Sequence, residues 1–258
     1  MNDQRREGIC WCDWTWTPIW GCDGPEGNGR PCDYCYAYRL RGRVGATLDC
    51  DDCREFTPHL HAERLMGDKA PAAVRTPGVV FADSMGDWWG PRVNEHWRTL
   101  ALDAMRRAPW HSYVVLTKRP DLICWADLLQ LAELAPESFW LGGSGTGMHD
   151  IWRVEKQLVD IMRALPPGGR EKIRAVVSVE PLLRTAGGWD PFQRGWPEID
   201  WVICGALTGP GGEQPTWGDR VSLRDWAERC GAAMWEKDNL SGQRTQTRPV
   251  PMLEHLGA

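Results

Sequence analysis

The sequence predicts an α/β fold, a partial (β/α)6 TIM-like barrel preceded by a cysteine-rich N-terminal loop region. Three observations carry that expectation. From about residue 78 the chain alternates short apolar runs with amphipathic segments, the order that builds a parallel sheet covered by helices. Each apolar run ends in a polar or glycine-rich cluster, as strands do when their carboxyl ends deliver a site. Seven of the ten cysteines fall within the first 53 residues, ahead of those runs.

The elements follow in order. Residues 1–60 are rich in cysteine and loop, with GCDGPEGNGRPC the most irregular stretch. Residues 78–240 hold the strands expected of the barrel: Val79–Ala82, Tyr113–Thr117, Phe139–Gly142, Ala175–Val179, Trp201–Cys204 and Ala232–Trp235. All are short and nearly continuous in apolar character, as parallel strands buried on both faces are. Between them, Val93, Trp97, Leu100, Ala101 and Met105 recur at helical spacing after Pro91, a first-turn residue. Ile151, Val154, Leu158, Ile161, Met162 and Leu165 form a second stripe, with Asp150 placed as its N-cap. A third helix would run from Ser222 as cap to Gly231 as stop. The clusters at the strand ends are Ala82–Asp87, Thr117–Arg119, Gly142–Gly145, Ser178–Glu180, Gly205–Gly212 and Glu236–Lys237. With no internal repeat or linker, residues 1–258 read as a single domain.

Composition narrows the function. Of 258 residues, 42% are hydrophobic and 25% charged, the profile of a soluble globular chain. The net charge of −5 supplies no global field for duplex nucleic acid. No apolar run is long enough to cross a bilayer, and MNDQRREGIC has no apolar segment after its charges. A cytoplasmic protein with no membrane partner is expected. In a reducing compartment, dense cysteine means metal or chemistry more often than disulfides. Cys124, Cys204 and Cys230 stand singly in apolar stretches and read as core. Seventeen tryptophans against four tyrosines and four phenylalanines point mostly to core filling, with a minority free to stack on a planar substrate.

Cys32-Asp33-Tyr34-Cys35 is a CxxC motif, and Cys22 precedes it by nine residues. Three thiolates on one loop can hold three irons of a 4Fe–4S cube and leave the fourth open. S-adenosylmethionine needs such an open iron. A rival reading takes Cys32, Cys35, Cys50 and Cys53 as a zinc ribbon, because the two CxxC pairs are separated by 14 residues. That reading leaves Cys22 and the polar strand ends unexplained. Once the three cluster cysteines are assigned, Cys10, Cys12, Cys50 and Cys53 remain for a second, closed site. Structural zinc is expected there, with an auxiliary cluster or four ordinary thiols as alternatives.

The blocks WTWTPIWGC, CDYCYA, HAERL, VVFADSMGD, VLTKRPD, WLGGS, VSVEPLL and WVICG run in order over roughly residues 14–237. Together they resemble a phage-enriched branch of the radical S-adenosylmethionine superfamily, similar to spore photoproduct lyase in setting a cysteine loop ahead of a partial (β/α)6 barrel. Two departures stand out: the Cys22–Cys32 loop is longer than the superfamily's usual CxxxC, and Gly205–Pro210 lacks a glycine-glycine-acid run. The resemblance implies a 4Fe–4S cluster on Cys22, Cys32 and Cys35, bound S-adenosylmethionine, and an external electron donor such as flavodoxin. It places Tyr34 and Tyr36 near the adenine, and Ser178 and Glu180 at the ribose or amino group. Lys118 or Arg119 would pair with the cofactor's carboxylate, the planar guanidinium suiting a bidentate contact. Lys118 and Glu180 are the candidate catalytic pair. Ser84, Asp87, Trp88 and Trp89 are expected on the substrate, and Arg119 and Lys237 on a carboxylate that it carries. The implied substrate is DNA or a modified nucleotide: a hypermodified thymine bearing a glycine-type adduct, isomerised by radical chemistry, with a base in duplex flipped out to reach the site. Two other classes stay open. One is a zinc-ribbon nucleic-acid-binding module without radical chemistry; the other is a non-radical barrel enzyme using Glu180 and Lys118 as acid and base.

Overall fold

The computed structural model describes all residues except 7, 25–26, 147, 184–193, 208–213 and 258, and of residues 148–149 only the backbone. The part of the Gly205–Gly212 cluster from Thr208 on therefore lies outside the described residues. The chain is α/β, with one curled, half-barrel sheet of eight strands. All six expected strands form: β5 Val79–Phe81, β6 Ser112–Thr117, β7 Phe139–Gly145, β8 Ile173–Val179, β9 Ile199–Cys204 and β10 Ala233–Glu236. They pair in parallel in chain order. The N-terminal region extends the same sheet. There β2 Trp14–Thr15 runs parallel to β5 and β1 Asn2–Asp3 antiparallel to β2. A separate two-stranded ribbon pairs β3 Ile19–Trp20 with β4 His59–Leu60.

Strand alternation divides the interior into two cores. Outward residues such as Val80, Tyr113, Val115, Leu141, Ala175, Val177 and Val202 pack under four helices, α3 Glu95–Arg106, α4 Trp125–Leu134, α5 Met148–Ala164 and α7 Trp217–Cys230. Inward residues Val79, Phe81, Val114, Trp140, Val176, Trp201 and Ile203 fill the concave side. Trp11 closes that side together with Met252 from the C-terminal helix α8, Val250–Leu256. Trp201 meets both Trp11 and Trp140 edge-on, with ring centroids 5.9 and 6.1 Å apart. Much of the tryptophan is therefore core filler, as its abundance suggests.

Several local expectations are corrected. Helix α3 is capped by Asn94, whose side chain accepts from His96 N–H, so Pro91 lies before the helix. Helix α5 begins ahead of Asp150, which sits in its first turn. Helix α7 starts six residues before Ser222, at a Thr216–Asp219 capping box, although Gly231 does end it. The cysteine-rich region also contains regular structure, α1 Tyr36–Leu48 and α2 Asp51–Glu55, besides loop. Of the three cysteines read as core, Cys204 and Cys230 are buried but Cys124 is exposed, at the start of α4. The short α6, Gly169–Lys172, leads into β8.

Glu155 on α5 is buried and accepts a hydrogen bond from Trp196 Nε1. Burial raises its carboxyl to about 7. An unfolded glutamate titrates near ~4.3. Between those values the unfolded chain loses a proton that the fold retains, so stability falls as pH rises through the window and levels off above it. Glu155→Gln keeps the acceptor and removes the titration. Melting curves should show the variant more stable than the parent at pH 8 by about 1–3 kcal/mol, with the gap closing near pH 4.

Candidate functional site

The inward side of each strand carries its alternation one or two residues past the strand's end, and that brings scattered polar residues to one place. Asp83 follows Phe81, Lys118 follows Leu116, Ser178 and Glu180 follow Val176, and Lys237 follows Trp235. With Ser144 from β7 they line a cavity of about 360 Å³ floored by Trp11 and Phe81. Such a volume suits a small-molecule or cofactor site. Cys22, Cys32, Tyr34, Cys35, Tyr36, Ser84, Asp87 and Arg119 line the same cavity.

The cysteine loop reaches the cavity through close backbone packing. Gly21 and Gly86 form a bridge between the end of β3 and the loop after β5. Gly21 has φ +85°, and a Cβ there would lie 2.3 Å from the Thr57 carbonyl oxygen; only glycine fits. Cys22 N–H then donates to Phe56 O at 3.3 Å. The next residue, Asp23, is buried, accepts from Arg92 N–H at 3.2 Å and pairs with the Arg92 side chain, which pins the loop to the segment after Trp89. Cys35 is the N-cap of α1, its sulfur accepting from Tyr38 N–H at 3.4 Å. Cys22 sulfur accepts from Gly24 N–H at 3.3 Å. Backbone donors and a helix N-terminus both favour anionic sulfur. Burial, with the Asp87 charge adding to it, pushes the free Cys22 thiol up to about 12. Burial likewise raises Cys35, against the Tyr38 N–H. As free thiols these two stay protonated, and a metal would have to displace the proton.

Around the cysteines, four residues that line the cavity each keep buried polar atoms without a hydrogen-bond partner among the described residues: Ser178 Oγ, Glu180 Oε1, Asp83 Oδ2, and Arg119 Nε and Nη2. Buried polar groups are normally paired. Four such residues around one cavity make its wall unusually rich in unpaired polar groups. Glu180 Oε2 pairs with Lys237 Nζ at 3.2 Å. Burial works against the Lys237 charge, but the Glu180 carboxylate outweighs it and raises Lys237. Burial, reinforced by the Asp87 charge, raises Asp83 well above the carboxylate range, so it stands as a neutral acid able to donate. Lys118 Nζ lies 5.2 Å from the Tyr34 ring centroid and donates to Ser144 Oγ at 3.4 Å. The Tyr36 hydroxyl donates to the Ser84 carbonyl, while Ser84 Oγ is 3.0 Å from Thr17 Oγ1.

Two expected substrate contacts are corrected. Trp88 and Trp89 are buried in the outer core and are not among the residues lining the cavity. Asp87 accepts Trp89 N–H at 3.1 Å where the chain turns the two indoles away from the cavity, and they gain more from that apolar core than from the polar rim. Asp87 itself lines the cavity but is occupied. It accepts from Thr117 Oγ1 at 2.7 Å and from Lys118 N–H at 3.1 Å, so it aims the end of β6 at the cavity.

The second metal site also has different members. Cys50, Cys53, His59 and His61 form a group able to hold one metal ion, their donor atoms all within 4.8 Å of one another. Cys10 and Cys12 are elsewhere. Cys10 accepts from Trp235 Nε1 at 3.5 Å, and Cys12 is packed in the inner core. The spacing C-x2-C-x5-H-x-H was the missed signal. It differs from the longer histidine spacing of familiar fingers.

Fold and site define an α/β half-barrel protein whose cysteine loop lines a cavity at the carboxyl ends of the strands, with a separate Cys/His group able to hold a metal ion. The chain belongs to the family described as Protein of unknown function (DUF5131), which matches residues 6–246. No curated protein and no solved structure matches the chain. Among the described residues, no helix is long and apolar enough to cross a membrane.

Proposed function

We propose that the chain is a radical S-adenosylmethionine enzyme built on a partial (β/α)6 barrel, with Cys22, Cys32 and Cys35 holding a 4Fe–4S cluster. The observation that carries this reading is the convergence of those three cysteines on the cavity that Ser178, Glu180, Asp83 and Arg119 also line. A cube takes its thiolates on three different corner irons, which suits three cysteines lining a cavity wall better than one ion would. When bound, the cluster supplies the electron that splits S-adenosylmethionine to a 5′-deoxyadenosyl radical. An external donor such as flavodoxin would reduce it.

The chain's own residues bind and orient. Ser178 Oγ and Glu180 Oε1 offer an acceptor pair for ribose hydroxyls or an ammonium, and Lys237 fixes the Glu180 carboxylate. Lys118 and the Tyr34 ring make one wall, on the adenine or the cofactor's carboxylate. Arg119 lines the cavity, is 4% exposed and keeps Nε and Nη2 unpaired; a guanidinium that turns toward a carboxylate or phosphate can bind it in a bidentate way. Asp83, held neutral, can donate a hydrogen bond from the cavity wall. The aromatic floor of Trp11 and Phe81 takes a planar base. We propose a modified thymine as substrate, in phage DNA or as a nucleotide, carrying a glycine-type adduct whose carboxylate Arg119 or Lys237 receives.

The test incubates anaerobically reduced protein with S-adenosylmethionine and DNA containing the modified thymine. The 5′-deoxyadenosine yield should rise severalfold with that DNA and stay flat with unmodified DNA. A yield indifferent to every DNA offered sinks the substrate assignment. Arg119→Lys, which keeps charge but loses the fork, should raise the substrate KM by about 10-fold or more while leaving uncoupled cofactor cleavage in place.

A further inference from the structure

We propose that Cys50, Cys53, His59 and His61 bind one zinc ion in a closed structural site that braces the loop carrying Cys22. Four donors come from a short stretch of chain. Cys50 caps α2, Cys53 lies within it, His59 opens β4 and His61 follows the strand, and the donor atoms of all four converge.

The distances fit a tetrahedron. Cys50 and Cys53 sulfurs are each 3.5 Å from His59 Nε2; Cys53 sulfur is 3.1 Å from His61 Nε2; the two Nε2 atoms are 3.1 Å apart. Zinc arms of about 2.0–2.3 Å give tetrahedral edges of roughly 3.3–3.8 Å. The two sulfur–His59 edges fall in that range, the two edges at His61 lie just below it, and all four donors stay within 4.8 Å of one another.

The hydrogen bonds on the far side of each imidazole strengthen the case. His59 Nδ1 lies 2.8 Å from Thr57 O, and His61 Nδ1 lies 2.8 Å from a Glu63 carboxylate oxygen. Both partners accept only, so each Nδ1 carries the proton and each Nε2 presents a lone pair. Two lone pairs facing at 3.1 Å repel unless a cation stands between them. Carbonyl and carboxylate partners on the outer nitrogen are what orient histidines toward a metal.

Two thiolates with two imidazoles match zinc's preferences. All four positions are filled by protein. Cys53 and His61 are buried, and none of the four lines the cavity. The site therefore lacks the open position that catalytic zinc needs. Its role follows from what it touches. β4 pairs with β3, bringing Trp20 opposite His59 and its ring edge-on to His61, with centroids 6.0 Å apart. Phe56 and Thr57, between the thiols and the imidazoles, receive Cys22 N–H and abut Gly21.

Zinc K-edge absorption reads zinc alone, so it separates this site from any iron. It is applied to the full chain purified without oxygen, and to a Cys22→Ala/Cys32→Ala/Cys35→Ala variant whose outcome is independent of the cluster. Both should carry about one zinc per chain with two sulfur and two nitrogen neighbours. Zinc absent from both, or a four-sulfur shell drawing in Cys10 and Cys12, overturns the proposal. Cys53→Ala should lose the ion. Because that variant risks misfolding, His59→Cys provides a positive signal: zinc stays and its shell becomes three sulfurs and one nitrogen. Retained zinc with an unchanged two-sulfur shell would rule His59 out as a ligand and refute the site.

Discussion

Replacing Cys22 by alanine should strip the anaerobically purified protein of its iron, from about four per chain to near none, and abolish 5′-deoxyadenosine formation. Cys32→Ala and Cys35→Ala should do the same. On the proposed reading the effect is large because the cofactor, not a side chain, would carry the chemistry, and three thiolates are the minimum that holds a cube with one iron open. Cys22 is the discriminating residue. A zinc ribbon built on Cys32, Cys35, Cys50 and Cys53 would be indifferent to it. In the structure those two pairs are already divided: Cys32 and Cys35 face the cavity, whereas Cys50 and Cys53 turn to His59 and His61. Cys10→Ala and Cys124→Ala should leave iron content unchanged, since neither lines the cavity.

The largest effect on stability should come from Glu236. Its carboxylate is fully buried at the end of β10, where Oε1 accepts from Arg220 Nε at 2.8 Å and Oε2 accepts from Arg224 Nε at 3.0 Å and Thr245 N–H at 2.8 Å. Burial disfavours the charge, but the two guanidiniums outweigh it and hold the carboxyl below its usual range. Glu236→Gln leaves Arg220, itself 4% exposed, as an uncompensated buried cation. Removing one partner of such a pair costs about 3–5 kcal/mol, which should lower Tm by roughly 6–20 °C. The carboxylate's contribution is present above the unfolded value near ~4.3 and is lost as pH falls through its lower native value. The gap between variant and parent should therefore be full at pH 7 and shrink in acid. A melting series over pH checks both magnitude and sign.

Much of the fold was legible because parallel strands buried on both faces leave a plain mark, and all six were placed to within about three residues. The cavity was legible for a related reason. Polar residues at strand ends have nowhere to point but the rim, and period-two alternation selects Lys118, Ser178, Glu180 and Lys237 for the inside. Where the sequence misled, packing decided. Trp88 and Trp89 follow a cavity residue but turn away from it, and nothing in WW tells a stacking platform from a core plug. Helix α1 was hidden by its arginines and by an N-cap of cysteine, an unusual choice for that position. Spacing alone pairs Cys50 and Cys53 with Cys10 and Cys12, the other cysteines left over, and hides His59 and His61. The sheet sends Cys12 into the inner core and Cys10 beside Trp235, while the left-handed turn at Phe56 that ends α2 brings His59 and His61 back to Cys50 and Cys53.

The most direct measurement is electron paramagnetic resonance of the reduced, iron-replete protein with and without S-adenosylmethionine. An open iron beside Ser178, Glu180 and Lys118 predicts a reduced 4Fe–4S signal that shifts when the cofactor is added and disappears in Cys22→Ala. A full complement of iron whose signal is unmoved by saturating S-adenosylmethionine would contradict it.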